Sequence, residues 1–416
     1  MNVLELKKDE TYSIKGGMTV ELVEGEALVV GKRVKKGGKV EVPVGKKIPL
    51  TAVMDTKLKL QDTGSGEYNK EEDRAIPYQW DKVVDILADG KIKTILVLGE
   101  VDTGKTFFST FVSNNLVERG LTVGVLDSDV GQSDIGPPGT LGLALLKEAS
   151  VFLTEVVPTE IYFVGSHSPG LHFLPYIVGT KRLVSHSLAK ADKIIINTPG
   201  WVLGDGGRAI RKAEIDLLEP DMVILMQREA EVEHLVKTYD PAKVLRVTVS
   251  KKASHTSPGD RKFLRERASK KYFNNSVRFE VATDAVTYDR GFIFSGKPVP
   301  PEEEDVVYVE KLPGYEGTIV VVRKNTPAQS LAAINKKYNM VRLVEEGEEK
   351  GVIVGLLDGA GTCTALGIIE RIDYKNRKIS FFAPVKDISA LKTIQFGSLK
   401  ATPMGEEAGF VTPGYF

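Results

Sequence analysis

Gly99-Glu100-Val101-Asp102-Thr103-Gly104-Lys105-Thr106 matches the pattern G-x-x-x-x-G-K-S/T, and its flanks decide how it folds. It follows the apolar run Ile95-Leu96-Val97-Leu98. It precedes a segment in which Phe107, Phe108, Phe111, Val112 and Leu116 fall on one side of a helix. A buried strand, a glycine-rich turn and an amphipathic helix, in that order, make a phosphate-binding loop. The glycines let backbone N–H groups wrap a phosphate chain, and the helix N-terminus adds positive potential. Gly99, Glu100, Val101, Asp102, Thr103, Gly104, Lys105 and Thr106 are therefore expected to bind the phosphates of a nucleotide, with Lys105 on the β/γ oxygens and Thr106 on magnesium. A glycine-rich turn with a chance Lys-Thr is the plain structural alternative, and the flanking pattern argues against it.

Three more apolar runs, Val123-Gly124-Val125-Leu126, Ile194-Ile195-Ile196 and Met222-Val223-Ile224-Leu225, alternate with longer helical patterns. Such runs are strands buried on both faces of a parallel sheet. The expected fold is α/β: a central P-loop kinase or NTPase domain with a mostly parallel sheet over residues 71–297. Short alternating runs such as Thr19-Val20-Glu21-Leu22 and Lys39-Val40-Glu41-Val42 predict a small β-rich domain over residues 1–70. The turn formers at 61–67 mark a linker or exposed loop at its edge. Pro298-Val299-Pro300-Pro301 runs into four acidic residues and marks a second boundary. Beyond it, residues 298–416 read as another β-rich domain, with a hairpin from 365–371 to 378–382.

A chain of 416 residues exceeds one ordinary core, so two or three domains fit. Its 56 basic and 56 acidic residues cancel, and any nucleic-acid surface must be local. A single cysteine, Cys363, excludes an internal disulfide, and no Cys/His cluster has metal-ligand spacing. A reducing, cytoplasmic setting and a buried bystander thiol are expected. The N-terminus lacks an apolar signal core, and no run approaches the roughly 18 residues of a membrane span. A composition rich in Lys and Glu with six Gln leans toward a thermophilic source.

The strand Thr122-Val123-Gly124-Val125-Leu126 ends in Asp127-Ser128-Asp129-Val130-Gly131-Gln132. Two carboxylates thus sit at the carboxyl edge where α/β sheets bind ligands. A carboxylate there can hold a magnesium-bound water or accept the proton of an attacking hydroxyl. Asp129 is the first candidate and Asp127 a further magnesium candidate. Their roles are exchangeable, and Asp-x-Asp after a strand also suits a cap or turn.

Four stretches carry a family resemblance: the P-loop with its internal Asp102; Asp129-Val130-Gly131-Gln132 continuing to Pro138-Gly139-Thr140; Gly165-Ser166-His167-Ser168-Pro169-Gly170; and Asn197-Thr198-Pro199-Gly200-Trp201-Val202. Together they resemble the polynucleotide 5′-hydroxyl kinases related to the kinase subunit of the eukaryotic pre-mRNA cleavage factor and tRNA-splicing complex, in an archaeal, thermophilic form. The resemblance implies transfer of the γ-phosphate of ATP, with magnesium, to the 5′-hydroxyl of RNA in processing or repair, and single-stranded DNA as a further acceptor.

By the same resemblance, Asp129 is catalytic base and magnesium-shell residue, with Gln132 in support. Ser168 and His167 belong to a clasp over the acceptor end, and Trp201 stacks on an acceptor base. A loop histidine, an ST-turn and a core tryptophan are the plain readings of these three. Lys251-Lys252 and the arginines near 261–267 form a basic segment over 251–271 that resembles the family's arginine-bearing lid. Arg261 and Arg265 stand one helical turn apart, so both guanidinium groups can face the transferring phosphoryl group. Which one acts stays open, and a basic helix equally suits a solvated face. The N-terminal domain stands where the family recognises the base of ATP.

Two other functions share Lys105, Thr106 and Asp129: a P-loop NTPase switch or motor, and a nucleotide-bound scaffold subunit of an RNA-processing complex without transfer activity. No Asn/Thr-Lys-x-Asp guanine-reading motif occurs. Ser168-Pro169, Trp201 and the basic segment have no evident use in a switch, which favours the kinase.

Overall fold

The computed structural model describes residues 2–250, 253, 257–314 and 317–416, and Lys251 and Lys252 of the basic segment lie outside the described residues. The P-loop strand Thr94–Gly99 is buried throughout and pairs in parallel with Lys193–Asn197 on one side and Met222–Gln227 on the other. Val123–Asp127 extends the sheet beyond Lys193–Asn197, and Val244–Thr248 extends it beyond Met222–Gln227, both in parallel. Thr140–Leu146 and Glu160–Phe163 continue it antiparallel. The unbroken apolar runs follow from cover on both faces. Ile95 and Val97 pack with Trp80, Phe108 and Phe111 of the helices Tyr78–Leu87 and Lys105–Val117. Leu96 and Leu98 pack with Tyr176, Leu183 and Ile210 of Phe173–Ser187 and Gly204–Leu218. Among the described residues no helix is long and apolar enough to cross a membrane.

Residues 2–71 form two antiparallel sheets of four and five strands. The segment at 61–67 lies inside this domain: Glu67–Glu71 pairs with Thr11–Lys15, and Asp62 Oδ1 closes the intervening turn by accepting the N–H groups of Gly64 and Gly66. The domain covers the outer side of the P-loop helix. Asn114 Nδ2, fully buried there, donates to the carbonyls of Val30 and Ser150, each at 2.8 Å. That cover explains why polar Ser109, Ser113 and Asn114 are buried along with the apolar side of the helix.

Strand pairing starts the C-terminal β-region earlier than the proline cluster does. Val277–Ala282 pairs with Lys378–Ala383, and Thr287–Asp289 with Thr393–Ala401. The prolines and acidic residues at 298–305 connect two neighbours of one sheet, Lys297–Val299 and Val306–Lys311. The hairpin joins Cys363–Asp373 to Lys378–Ala383 with Asp373 opposite Lys378. Cys363 is free and buried, and burial pushes its thiol up to about 12.

One close approach bears directly on the site. A Cβ on Gly142 would lie 1.9 Å from the Ile135 carbonyl oxygen, so the loop that follows Asp129 rests on bare backbone. Gly142→Ala must push that loop away and is expected to destabilise the fold by roughly 1–3 kcal/mol. Thermal unfolding measures this; an unchanged midpoint would mean that the loop yields freely.

Candidate active site

The loop between strand and helix holds its shape with two left-handed residues, Asp102 at φ 59° and Gly104 at φ 84°. Gly104 adopts that conformation without the cost a Cβ imposes. Lys105 and Thr106 then open the helix Lys105–Val117. Lys105 is buried, and its Nζ donates across the loop to the Glu100 carbonyl at 2.6 Å. Burial pushes its ammonium down to about 8, and Asp129 opposes that shift.

Asp127 and Asp129 divide the work at the neighbouring strand end. Asp127 is fully buried and accepts four donors: the backbone N–H groups of Asp129, Asp134 and Ile135, and Asn197 Nδ2. Its carboxylate is spent on holding the loop, and burial, with the charges of Asp134 and Asp129, pushes it up to about 7. Asp129 Oδ1 accepts the N–H groups of Gly131 and Gln132, both at 3.1 Å. Its Oδ2 has no hydrogen bond among the described residues. Burial raises Asp129 above the ordinary carboxylate range, while Lys105 draws it back.

Asn197, to which no role fell from sequence, joins the two halves. Its strand runs between those of the P-loop and of Asp127, so its Nδ2 reaches both Thr106 Oγ1 and Asp127 Oδ1 at 3.1 Å. Its Oδ1 is buried without a partner among the described residues. The Thr106 hydroxyl and the Asp129 carboxylate line one cavity and together suit a hard cation that prefers oxygen donors. Among the described residues no three His, Cys, Asp or Glu form a metal cage. A magnesium held largely by phosphates and water does not need one.

Lys105, Thr106, Asp129, Gln132, His167, Ser168, Trp201, Arg261 and Arg265 line one cavity of about 590 Å³, together with Val101, Asp102 and Gly104. Gly99, Glu100, Thr103 and Asp127 do not line it. Thr103 is buried, and its hydroxyl donates to the Glu100 carbonyl at 2.9 Å. The cavity continues toward the N-terminal domain past Phe107 and Thr110 to Lys46, Ile48, Pro49 and Glu71.

Ser168 is exposed, and its Oγ accepts the Gly170 N–H at 3.2 Å, the ST-turn that its place before proline suggests. His167 is pushed down to about 4 by burial and by Arg265, so it is neutral at pH 7. Trp201 is half-buried and stacks on Phe173 with ring centroids 5.9 Å apart and an interplanar angle of 13°. Bare glycine backbone makes room for its ring: a Cβ on Gly206 would meet it at 2.7 Å.

The basic segment is the helix Pro258–Phe273, started by a capping box between Ser257 and Asp260. Arg261 Nη2 lies 3.2 Å from Asp102 Oδ2 inside the P-loop, and Gln132 Nε2 donates to the Arg261 carbonyl at 3.3 Å. Arg265 Nε instead donates to Glu407 at 2.7 Å. Beneath the site, Arg211 is wholly buried against Glu214 and donates to the Tyr176 hydroxyl, which lies 3.1 Å from Ser128 Oγ. The i,i+3 spacing of Arg211 and Glu214 was a readable signal of that pair; its place under Asp129 was not.

The family model described as the P-loop of the mRNA cleavage and polyadenylation factor CLP1 matches residues 99–275, a span that holds the P-loop, Asp129, Trp201, Arg261 and Arg265. A polyribonucleotide 5′-hydroxyl-kinase of Pyrococcus horikoshii is 31% identical over 77% of this chain and 89% of its own. This chain belongs to the polyribonucleotide 5′-hydroxyl-kinase family. A family member from Methanocaldococcus jannaschii is 32% identical over 76% of this chain and 89% of its own. A Xenopus laevis polyribonucleotide 5′-hydroxyl-kinase, Clp1, is 27% identical over 61% of this chain and 62% of its own. The solved Clp1p–Pcf11p complex contains a chain of the same fold, with a TM-score of 0.64 at 14% identity, over 96% of this chain and 97% of that one.

Proposed function

We propose that this protein is a polyribonucleotide 5′-hydroxyl kinase that transfers the γ-phosphate of ATP to the 5′-hydroxyl of RNA. The observation that carries this reading is the meeting of two sets of side chains in one cavity: Lys105, Thr106 and Asp129 on one side, His167, Ser168 and Trp201 on the other. A nucleotide switch or an inert scaffold has no use for the second set. The ATP phosphates lie over Gly104, Lys105 and Thr106, and the nucleoside extends toward Lys46, Pro49 and Glu71.

In the transfer, the 5′-oxygen bonds to the γ-phosphorus as the bond to the β,γ-bridging oxygen breaks and ADP leaves. Asp129 Oδ2 accepts the proton of the attacking hydroxyl, while its Oδ1 stays tied to the loop. Lys105 holds the β/γ oxygens, and Arg261 and Arg265 offset charge on the transferring group. Thr106 and Asp129 are the residues that would hold magnesium, which when bound neutralises phosphate charge. Trp201 carries the acceptor base by stacking, a contact that tolerates any base.

The deciding assay supplies γ-labelled ATP, magnesium and 5′-hydroxyl oligonucleotides of RNA and of DNA. Label is expected on RNA; its absence from both polymers sinks the reading. For Trp201→Ala, oligonucleotide affinity is expected to fall about tenfold, as the loss of one base stack implies, with ATP affinity nearly unchanged. A parallel fall in both affinities would make Trp201 a structural residue.

A further inference from the structure

We infer that Glu407, on the C-terminal β-hairpin, is a positioning residue for phosphoryl transfer that holds Arg265 at the cavity wall; the inference rests on the kinase reading above. Glu407 begins the strand Glu407–Phe410, which pairs with Thr393–Ala401 and lies more than a hundred residues from any other part of the site in sequence. The hairpin turn meets the lid helix Pro258–Phe273 at several points. A Cβ on Gly405, at φ 81°, would lie 2.7 Å from the Lys270 backbone nitrogen, so the turn packs on the helix backbone itself. Glu406 pairs with Lys270 at 2.8 Å, and the Glu407 N–H donates to Glu266 Oε1 at 3.3 Å. Further along the helix, Phe273 is buried in a cluster with Ile161, Leu366 and Ala401.

Within that contact Glu407 Oε1 does two things. It accepts from Arg265 Nε at 2.7 Å, and it lies 3.5 Å from His167 Nδ1. Arg265 and His167 both line the cavity, and Glu407 does not. The carboxylate takes the Nε edge of the guanidinium and leaves both Nη nitrogens without a hydrogen bond among the described residues. A guanidinium fixed by one edge keeps its other donors aimed for an oxyanion and loses less freedom when it bonds one. Glu407 therefore acts through Arg265, as a brace that the C-terminal domain lends to the lid.

The test compares Glu407→Gln and Glu407→Ala with wild type in the full-length protein, and Glu406→Gln serves as the control for the exposed neighbouring pair. A misplaced Arg265 is expected to lower kcat for RNA phosphorylation about tenfold in Glu407→Ala and less in Glu407→Gln, with KM for ATP unchanged. Glu406→Gln is expected to keep the wild-type rate. In an Arg265→Ala background, Glu407→Ala is expected to cost nothing more, since the two act as one unit. An unchanged or raised kcat in Glu407→Ala, a rise in KM alone, or additive losses in the double variant would overturn the inference. Wild-type transfer to RNA reads the kinase assignment separately. Hydrogen exchange over 258–273, which needs no turnover, should rise in Glu407→Ala, and unaltered exchange there also counts against the brace.

Discussion

Lys105→Ala is expected to lower phosphoryl transfer about a thousandfold, the scale on which one fixed charge at a developing anion acts. The ammonium is buried and reaches across the loop to the Glu100 carbonyl, so its position is set before any phosphate arrives. A preset donor in a water-poor site costs little reorganisation at the moment of reaction. The substitution should leave the fold intact, because it removes a cation whose burial is itself unfavourable; circular dichroism and thermal unfolding check that. The wild type carries a second signature of this residue. Since burial brings Lys105 down to about 8, its charge is present below that pH and is lost above it. For the free enzyme, kcat/KM for ATP should fall on the alkaline side with an apparent pKa near 8. A profile flat to pH 10 would mean that the Lys105 charge does not govern ATP capture.

The legible parts of this protein are those whose physics is local. A phosphate-binding loop needs its strand, glycines, lysine and helix within some twenty residues, so Gly99 to Thr106 announced both the site and the sheet around it. The parallel strands were readable because cover on both faces demands unbroken apolar runs such as Ile194-Ile195-Ile196. Two boundaries were harder to read, since composition cannot tell a linker from a turn between paired strands. The polar stretch at 61–67 connects the two sheets of the N-terminal region, and the proline cluster at 298–305 lies between two paired strands of one sheet.

Site residues that depend on strand order or on a distant domain left weaker traces. Asn197 gained its bridging position only because its strand lies between those of Thr94–Gly99 and Val123–Asp127. Asp127 was read as a second magnesium candidate beside Asp129, and nothing in Asp-Ser-Asp distinguishes the carboxylate that faces the cavity from the one that bonds its own loop. Burial makes that distinction: Asp127 ends the strand Val123–Asp127 inside the core, where it accepts four donors, while Asp129 lies in the loop beyond the strand and lines the cavity. Glu407, which meets Arg265 from more than a hundred residues further along the chain, had no local signal at all.

Asp129→Asn should lower transfer by about 10²–10⁴-fold, the range for a positioned general base, and leave the loop where it is. The amide oxygen of asparagine can still accept the Gly131 and Gln132 N–H groups that now bond Oδ1. What disappears is the charge and the basic Oδ2, so a loss of rate cannot be blamed on a displaced loop. Two consequences separate the proton-accepting role from simple charge balance. ATP affinity near neutral pH should fall far less than transfer does, because Lys105 and the loop backbone still hold the phosphates. The alkaline limb should move to lower pH, because the Asp129 carboxylate is the first of the charges that oppose the burial of Lys105. Single-turnover transfer, measured beside equilibrium ATP binding across pH, reads both. If transfer and ATP affinity fall by the same factor, Asp129 serves ground-state binding of the nucleotide and its metal. If transfer alone collapses while the limb shifts, the same carboxylate tunes the donor lysine and takes the proton of the acceptor hydroxyl.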